Sequence, residues 1–132
     1  MTWLIGDWSR IYLADTALEE RWLKSCWCSG IYRLIGLQNT LTPAQICRAC
    51  GTDPTGTLYL GQTTNLYVRL SSLVRSKSLY RLLPDKLAEQ FPSSRLGISW
   101  QQVEAPQLAS RERELLRNYI AEFGDRPPLM TT

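Results

Sequence analysis

Hydrophobic and polar positions alternate with a period of two over Thr57-Leu58-Tyr59-Leu60-Gly61, with Gly56 and Gly61 at the ends. This predicts a short strand with one buried face. The period then changes. Leu66, Leu70, Leu73 and Val74 recur at helical spacing, and Thr63, Thr64 and Asn65 all suit an N-cap, so a helix begins there. Arg69 falls at the edge of that apolar stripe, which holds its guanidinium close to the strand end.

The same reading extends along the chain. Residues 3 to 13 show no clear period, and Ala14 to Lys24 predicts a helix with Leu18, Trp22 and Leu23 inward. Ser29 to Leu37 predicts a strand with Tyr32 and Leu34 on one face and Ile31, Arg33 and Ile35 on the other. Thr42-Pro43-Ala44-Gln45 resembles a capping box with proline at the first helical position, so a short helix is expected over 43–50. Ser78 to Phe91 predicts a helix broken near Pro84, and Leu96 to Val103 a third strand. A last helix starts near Pro106, with Leu108, Leu115, Leu116, Tyr119, Ile120 and Phe123 in its stripe and Glu112 among them. The link between the first two long strands is long enough for a parallel crossover, so the pattern leaves their relative direction open.

A chain of 132 residues is one domain with room for a core. Hydrophobic content of 44% and charged content of 20% belong to a folded protein rather than a disordered one. No apolar run is long enough for a membrane span, and Asp7 with no basic segment before it argues against a secretory signal. A cytoplasmic location and no membrane partner are therefore expected.

Charge is unevenly placed. Up to residue 60, Arg10, Arg21, Lys24, Arg33 and Arg48 are balanced by Asp7, Asp15, Glu19, Glu20 and Asp53. Between Gly61 and Arg95, Arg69, Arg75, Lys77, Arg81, Lys86 and Arg95 meet only Asp85 and Glu89. A phosphate backbone requires such a patch, and Arg75, Lys77, Arg81 and Lys86 are its candidate contacts, although a solvated helix surface has the same composition. The absence of histidine removes Ser-His and Cys-His catalysis, leaving tyrosine, a carboxylate, lysine or metal-bound water as general base.

A carboxylate in an apolar stripe is costly unless it is paired or holds a metal. With Arg69 at the edge of another stripe and two strand tyrosines, one shared polar site is the simplest arrangement. A structural Glu112–Arg69 ion pair beside two core tyrosines is the plain alternative.

Gly30-Ile31-Tyr32, then Tyr59-Leu60-Gly61, Asn65-Leu66-x-x-Arg69-Leu70, Arg111-Glu112-x-x-Leu115-Leu116 and Pro127-Pro128-Leu129 follow the order of the GIY-YIG nuclease domain, which the chain resembles from about residue 28 to 130. The resemblance implies an α+β fold, a single domain with a three-stranded antiparallel sheet flanked by helices. Residues 1–27 would be an N-terminal helical extension and residues 28–132 the nuclease-like domain, with an insertion at about 38–55.

It also implies a DNA endonuclease that hydrolyses phosphodiester bonds with Mg²⁺ or Mn²⁺. By resemblance, Tyr32 is the general base or water-orienting hydroxyl, Tyr59 its neighbour, Arg69 the phosphate clamp and Glu112 the metal ligand, with Gly30 and Gly61 as motif glycines. A guanidinium and a metal would bring the Tyr32 pKa down from about 10. DNA is the expected partner, with a homodimer or a recognition protein for double-strand cutting. Three departures stand out: the long link between the tyrosines, Leu73 where a histidine is usual, and Met130 where an asparagine is usual. They keep open a catalytically weak or inactive relative that binds DNA or serves as a complex subunit.

Cys26, Cys28, Cys47 and Cys50 suffice by count for a zinc site. If the tyrosine strands are antiparallel, seven residues of strand separate the pairs by roughly 20 Å, so ordinary thiols are expected. Trp3, Trp8, Trp22, Trp27 and Trp100 are read as core, with base stacking by one of them as the alternative.

Overall fold

The computed structural model describes residues 3–15, 26–75 and 83–130. Its strands are β1 (Tyr12–Leu13), β2 (Gly30–Gly36), β3 (Ile46–Arg48), β4 (Gly51–Asp53), β5 (Thr57–Thr63) and β6 (Leu96–Gln102). Its helices are α1 (Leu66–Arg75), α2 (Asp85–Gln90) and α3 (Leu108–Phe123), with single 3₁₀ turns before β6 and before α3. The expected helix over Ala14 to Lys24 falls largely outside the described residues.

The main sheet is antiparallel, in the order β1-β6-β2-β5, and β3 pairs with β4 in a separate hairpin. It therefore has four strands rather than three. The extra one, β1, has only two residues, too few to register as a period. It is held by pairing Tyr12 with Ile98 and Leu13 with Gly97, and by stacking of the Tyr12 ring on Trp100 at 5.4 Å.

Layers of apolar side chains cover both faces of β2. On one face Tyr32, Leu34, Ile98 and Trp100 pack under Leu66, Leu70 and Leu73 of α1, with Leu83 and Phe91. On the other, Ile31 and Leu60 pack against Leu108, Leu115, Tyr119 and Phe123 of α3, with Trp3 edge-on to Tyr119 at 4.8 Å. Strand β5 is consequently buried on both sides, not one. Leu58 belongs to the first layer and Leu60 to the second, because the β2–β5 register shifts between Leu34 and Ile35.

Ten residues are too few to hold α1 by propensity alone. Burial of Leu66, Leu70 and Leu73, at about 1.5–3 kcal/mol each, supplies what is missing. Asn65 caps the helix by accepting the Val68 N–H at 3.0 Å.

The helix expected over 43–50 is a hairpin instead. Pro43 bridges to Leu37, Ala44 N–H donates to the Gly36 carbonyl, and Ile46 turns inward while Cys47 stays outside. Local signals resembling a capping box yield here to pairing with the end of β2. The hairpin is fastened to α3 by the Cys50 N–H donating to the Phe123 carbonyl and by an Arg48–Asp125 ion pair at 2.7 Å.

Candidate functional site

The site grows from the middle of β2. Tyr32 lies opposite Gly61 on β5 and Trp100 on β6, so its ring stands on the sheet face that α1 covers. Gly61 is needed there by contact, since a Cβ at that position would overlap the end of the Tyr32 ring. Gly30 answers a similar constraint, its missing Cβ making room for the Gln101 carbonyl and Leu66. Tyr59 is diagonal to Tyr32 across the same two strands, half-buried, with ring centroids 6.2 Å apart.

Helix α1 delivers Arg69 to this pair. Its Nε–H donates to the Tyr32 hydroxyl at 3.1 Å, and that bond is the first cause raising the Arg69 pKa, so the guanidinium stays charged. Tyr32 is different. Burial raises its pKa and outweighs the opposing pull of the Arg69 bond and charge, while Tyr59 and Glu112 push in the same direction as burial. The expectation that Arg69 would bring Tyr32 down is thus corrected: the guanidinium limits the rise without reversing it. At neutral pH Tyr32 is a protonated hydroxyl with one lone pair occupied.

Glu112 lies at the angle of the buried stripe of α3 but is itself only half-buried. Leu108, Leu115, Tyr119 and Phe123 are buried, whereas Leu116 and Ile120 lie at the helix margin, Ile120 being 38% exposed. At about 100° per residue Glu112 stands about 40° from Leu108, between Tyr119 at about 20° and Phe123 at about 60°, so its partial exposure is not set by its angle on the helix. Glu112 and Arg69 take different partners: Arg69 bonds Tyr32, and the Glu112 Oε2 accepts from the Gln62 side-chain amide at 2.5 Å. The structure brings Tyr32, Tyr59 and Arg69 into direct association. Glu112 joins them through its charge, which acts on Tyr32.

Sequence reasoning passed over Gln62 and Gln101. Both pair with Ile31 in one cross-strand row, one on each side, and they hold neighbouring residues of α3. Gln101, buried, accepts from Arg111 Nη1 at 2.7 Å and donates to the Ile5 carbonyl at 3.0 Å, while Gln62 holds Glu112. Alternation from Leu60 already puts Gln62 on the α3 face, and that was the available signal. Met130 has a contact of its own on β5. Its sulfur accepts the Leu60 N–H at 3.3 Å and Leu129 N–H donates to the Leu58 carbonyl, so the final turn covers the outer edge of β5.

Of the proposed DNA contacts, Arg75 ends α1 and Lys86 is exposed on α2, while Lys77 and Arg81 lie outside the described residues. The cysteines are thiols rather than disulfides; Cys28 precedes β2, and Cys47 and Cys50 belong to the hairpin that follows it. Trp3 and Trp100 are core residues and Trp8 is half-buried, but Trp27 is 62% exposed, against expectation; Trp22 is outside the described residues.

Among the described residues, no three His, Cys, Asp or Glu side chains gather at one point. A closed, all-protein metal cage is not what this site offers. One carboxylate, Glu112, with an amide beside it fits an open divalent site of the Mg²⁺ type, in which waters and substrate phosphates complete the shell. A hollow of about 430 Å³ lined by Arg48, Ile120, Asp125, Arg126 and Met130 includes none of the four site residues. No helix among the described residues is long and apolar enough to cross a membrane.

Compared with models of known protein families, with curated proteins and with solved structures, the chain matches none.

Proposed function

We propose that this chain hydrolyses phosphodiester bonds in DNA, as a metal-dependent endonuclease of the GIY-YIG type. The observation that carries the reading is the Arg69 Nε–H to Tyr32 hydroxyl bond, formed beside Tyr59 and opposite Gly61, at the positions the resemblance assigns to chemistry. With Nε committed to Tyr32 among the described residues, the two terminal nitrogens of Arg69 remain to grip non-bridging oxygens of a phosphate. The fixed charge then meets the negative charge that develops as water attacks phosphorus and the ester oxygen leaves.

Tyr32 keeps its proton and acts as a water-orienting hydroxyl rather than a resting phenolate. Its remaining lone pair accepts from the attacking water, whose proton is released to solvent as the P–O bond forms and the ester oxygen leaves, and Tyr59 confines that water from the adjacent position. Glu112, held by Gln62, is the residue that would hold a divalent cation, which would supply positive charge beside the phosphate.

Incubating the protein with plasmid and with short single- and double-stranded DNA, in Mg²⁺, Mn²⁺ or EDTA, tests the reading. Cleavage is expected with metal only, and Tyr32→Phe or Glu112→Ala should abolish it while DNA binding persists. Variants that cut as well as the parent refute the assignment.

Met130 favours a second reading. Its thioether, facing the backbone of β5, takes the position of a polar side chain in the resemblance. A DNA-binding subunit with the same surface and little turnover follows from that substitution, and binding without cleavage in every metal would identify it.

A further inference from the structure

We propose that Trp27 is a stacking platform for an unpaired nucleobase on the DNA strand whose phosphate Arg69 grips. The inference rests on the nuclease reading above and specifies the substrate class: single-stranded, flapped or otherwise unpaired DNA.

Exposure of a tryptophan on a fixed backbone is the first ground. Cys26 and Cys28 pack against the core, and their carbonyls accept the Tyr67 and Leu66 N–H groups at 3.0 and 2.8 Å. Trp27 lies between these anchors at the start of α1, yet it is 62% exposed while Trp3 and Trp100 are buried. The ring leans on Tyr67, centroids 5.0 Å apart and planes at 36°, so a partner holds it while much of its surface stays in water. Rings fixed in this way take up bases with little ordering cost, and every base offers a π face.

Charge identifies the occupant. The sequence has no acidic residue between Glu20 and Asp53, nor between Asp53 and Asp85. These stretches hold Trp27, Tyr67, exposed Val68 and Arg69, so the segments that carry the platform and the clamp bring no carboxylate of their own to repel a polyanion, and Glu112, whose charge reaches Tyr32, is the residue assigned to the cation. Tyr67 and Arg69 leave α1 on opposite flanks of its buried stripe, with Val68 between them. A strand crossing the first turn of α1 would meet the aromatic pair on one side and the guanidinium on the other. A base within a duplex has both faces stacked and cannot use the platform, which is why an unpaired base is specified.

The test is binding in EDTA, so that cleavage does not enter. Fluorescence anisotropy measures the affinity of the full chain for a labelled single strand of about 12 nucleotides and for a blunt duplex of the same sequence. Trp27→Ala should weaken single-strand binding about 5- to 100-fold and leave duplex binding within about twofold, while Trp27→Phe keeps most of the single-strand affinity. Single-strand binding should also quench wild-type fluorescence more than that of Trp27→Phe. Equal affinity of Trp27→Ala and the parent for the single strand overturns the proposal, as does an equal loss for both DNA forms. If Mg²⁺ and Mn²⁺ yield no cleavage but the single-strand preference follows Trp27, the nuclease reading fails and the platform stands.

Discussion

Arg69 donates its Nε–H to the Tyr32 hydroxyl at 3.1 Å, joining the first turn of α1 to the central strand of the sheet. The bond and the Arg69 charge both act to lower the Tyr32 pKa against the larger effect of burial. Arg69→Ala removes both, so the Tyr32 hydroxyl should titrate at still higher pH. Phenolate absorbance, read as the difference from Tyr32→Phe in each background, measures this. The same substitution should cut turnover about 10²- to 10³-fold, the usual loss for one preorganised donor. Arg69→Lys should recover little, because an ammonium lacks the fork that serves hydroxyl and phosphate together. An unchanged Tyr32 titration would mean that the bond does not persist in solution.

Gly61 faces Tyr32 so closely that a methyl group there would overlap the phenol. Gly61→Ala should therefore destabilise the fold by about 1–3 kcal/mol, as overpacking does, and displace the hydroxyl from Arg69. In a Tyr32→Ala background the collision is gone and the cost should shrink by at least half. Urea unfolding of the four chains in a double-mutant cycle reads the coupling directly. Additive costs would show that Gly61 is required by its backbone alone.

Three long strands and α1 were legible because their signals are local. Alternation with a glycine in or beside each marks β2, β5 and β6, and the Leu66, Leu70, Leu73 stripe after Asn65 marks α1. Features set by tertiary contacts were not. The Thr42-Pro43 start reads as a helix until its backbone groups are claimed by Gly36 and Leu37, and a two-residue strand such as β1 has no period at all. Glu112 is central to its stripe by spacing and by helix angle, but its half-exposed setting and its bond to Gln62 depend on what β5 places beside it, which the stripe does not encode. The direction of the Tyr32 shift depends on burial by both neighbouring strands and α1, a property no spacing encodes.

Tyr119 donates to Asp53 Oδ2 at 2.8 Å in the interior, where Asp53 is fully buried and also accepts from the Thr55 N–H at 2.8 Å. Burial first, and the Asp53 charge second, push the Tyr119 pKa up. Its folded value thus exceeds the unfolded value of about 10, so the stability this hydroxyl contributes is complete below pH about 10 and is lost as pH rises through the folded value. Tyr119→Phe leaves a buried carboxylate oxygen without its donor and should cost about 1–3 kcal/mol at pH 7. Between pH 9 and 11 the gap between variant and parent should narrow by about 1 kcal/mol as the unfolded phenol ionises. Arg33, which burial pushes down to about 10, has the opposite sign and is common to both chains. Urea midpoints at the three pH values suffice, and a gap of constant size would show that Tyr119 does not hold its proton in the fold.

Met130 provides the sharpest contrast between an active enzyme and a binding subunit. Half-buried against the Ile31 and Leu60 layer, its sulfur is a weak acceptor for the Leu60 N–H, and the last turn is also fixed by Leu129 N–H to the Leu58 carbonyl. Met130→Asn exchanges apolar contact for an amide and should destabilise the fold by about 1 kcal/mol, since the replacement still offers an acceptor to Leu60. Under the nuclease reading the amide also restores the polar group expected beside the phosphate, so single-turnover cleavage should rise several-fold even though stability falls. A rise in rate against a fall in stability cannot come from better packing. If turnover falls in step with stability, Met130 is a structural cover for the β5 edge and the resemblance does not extend to this position.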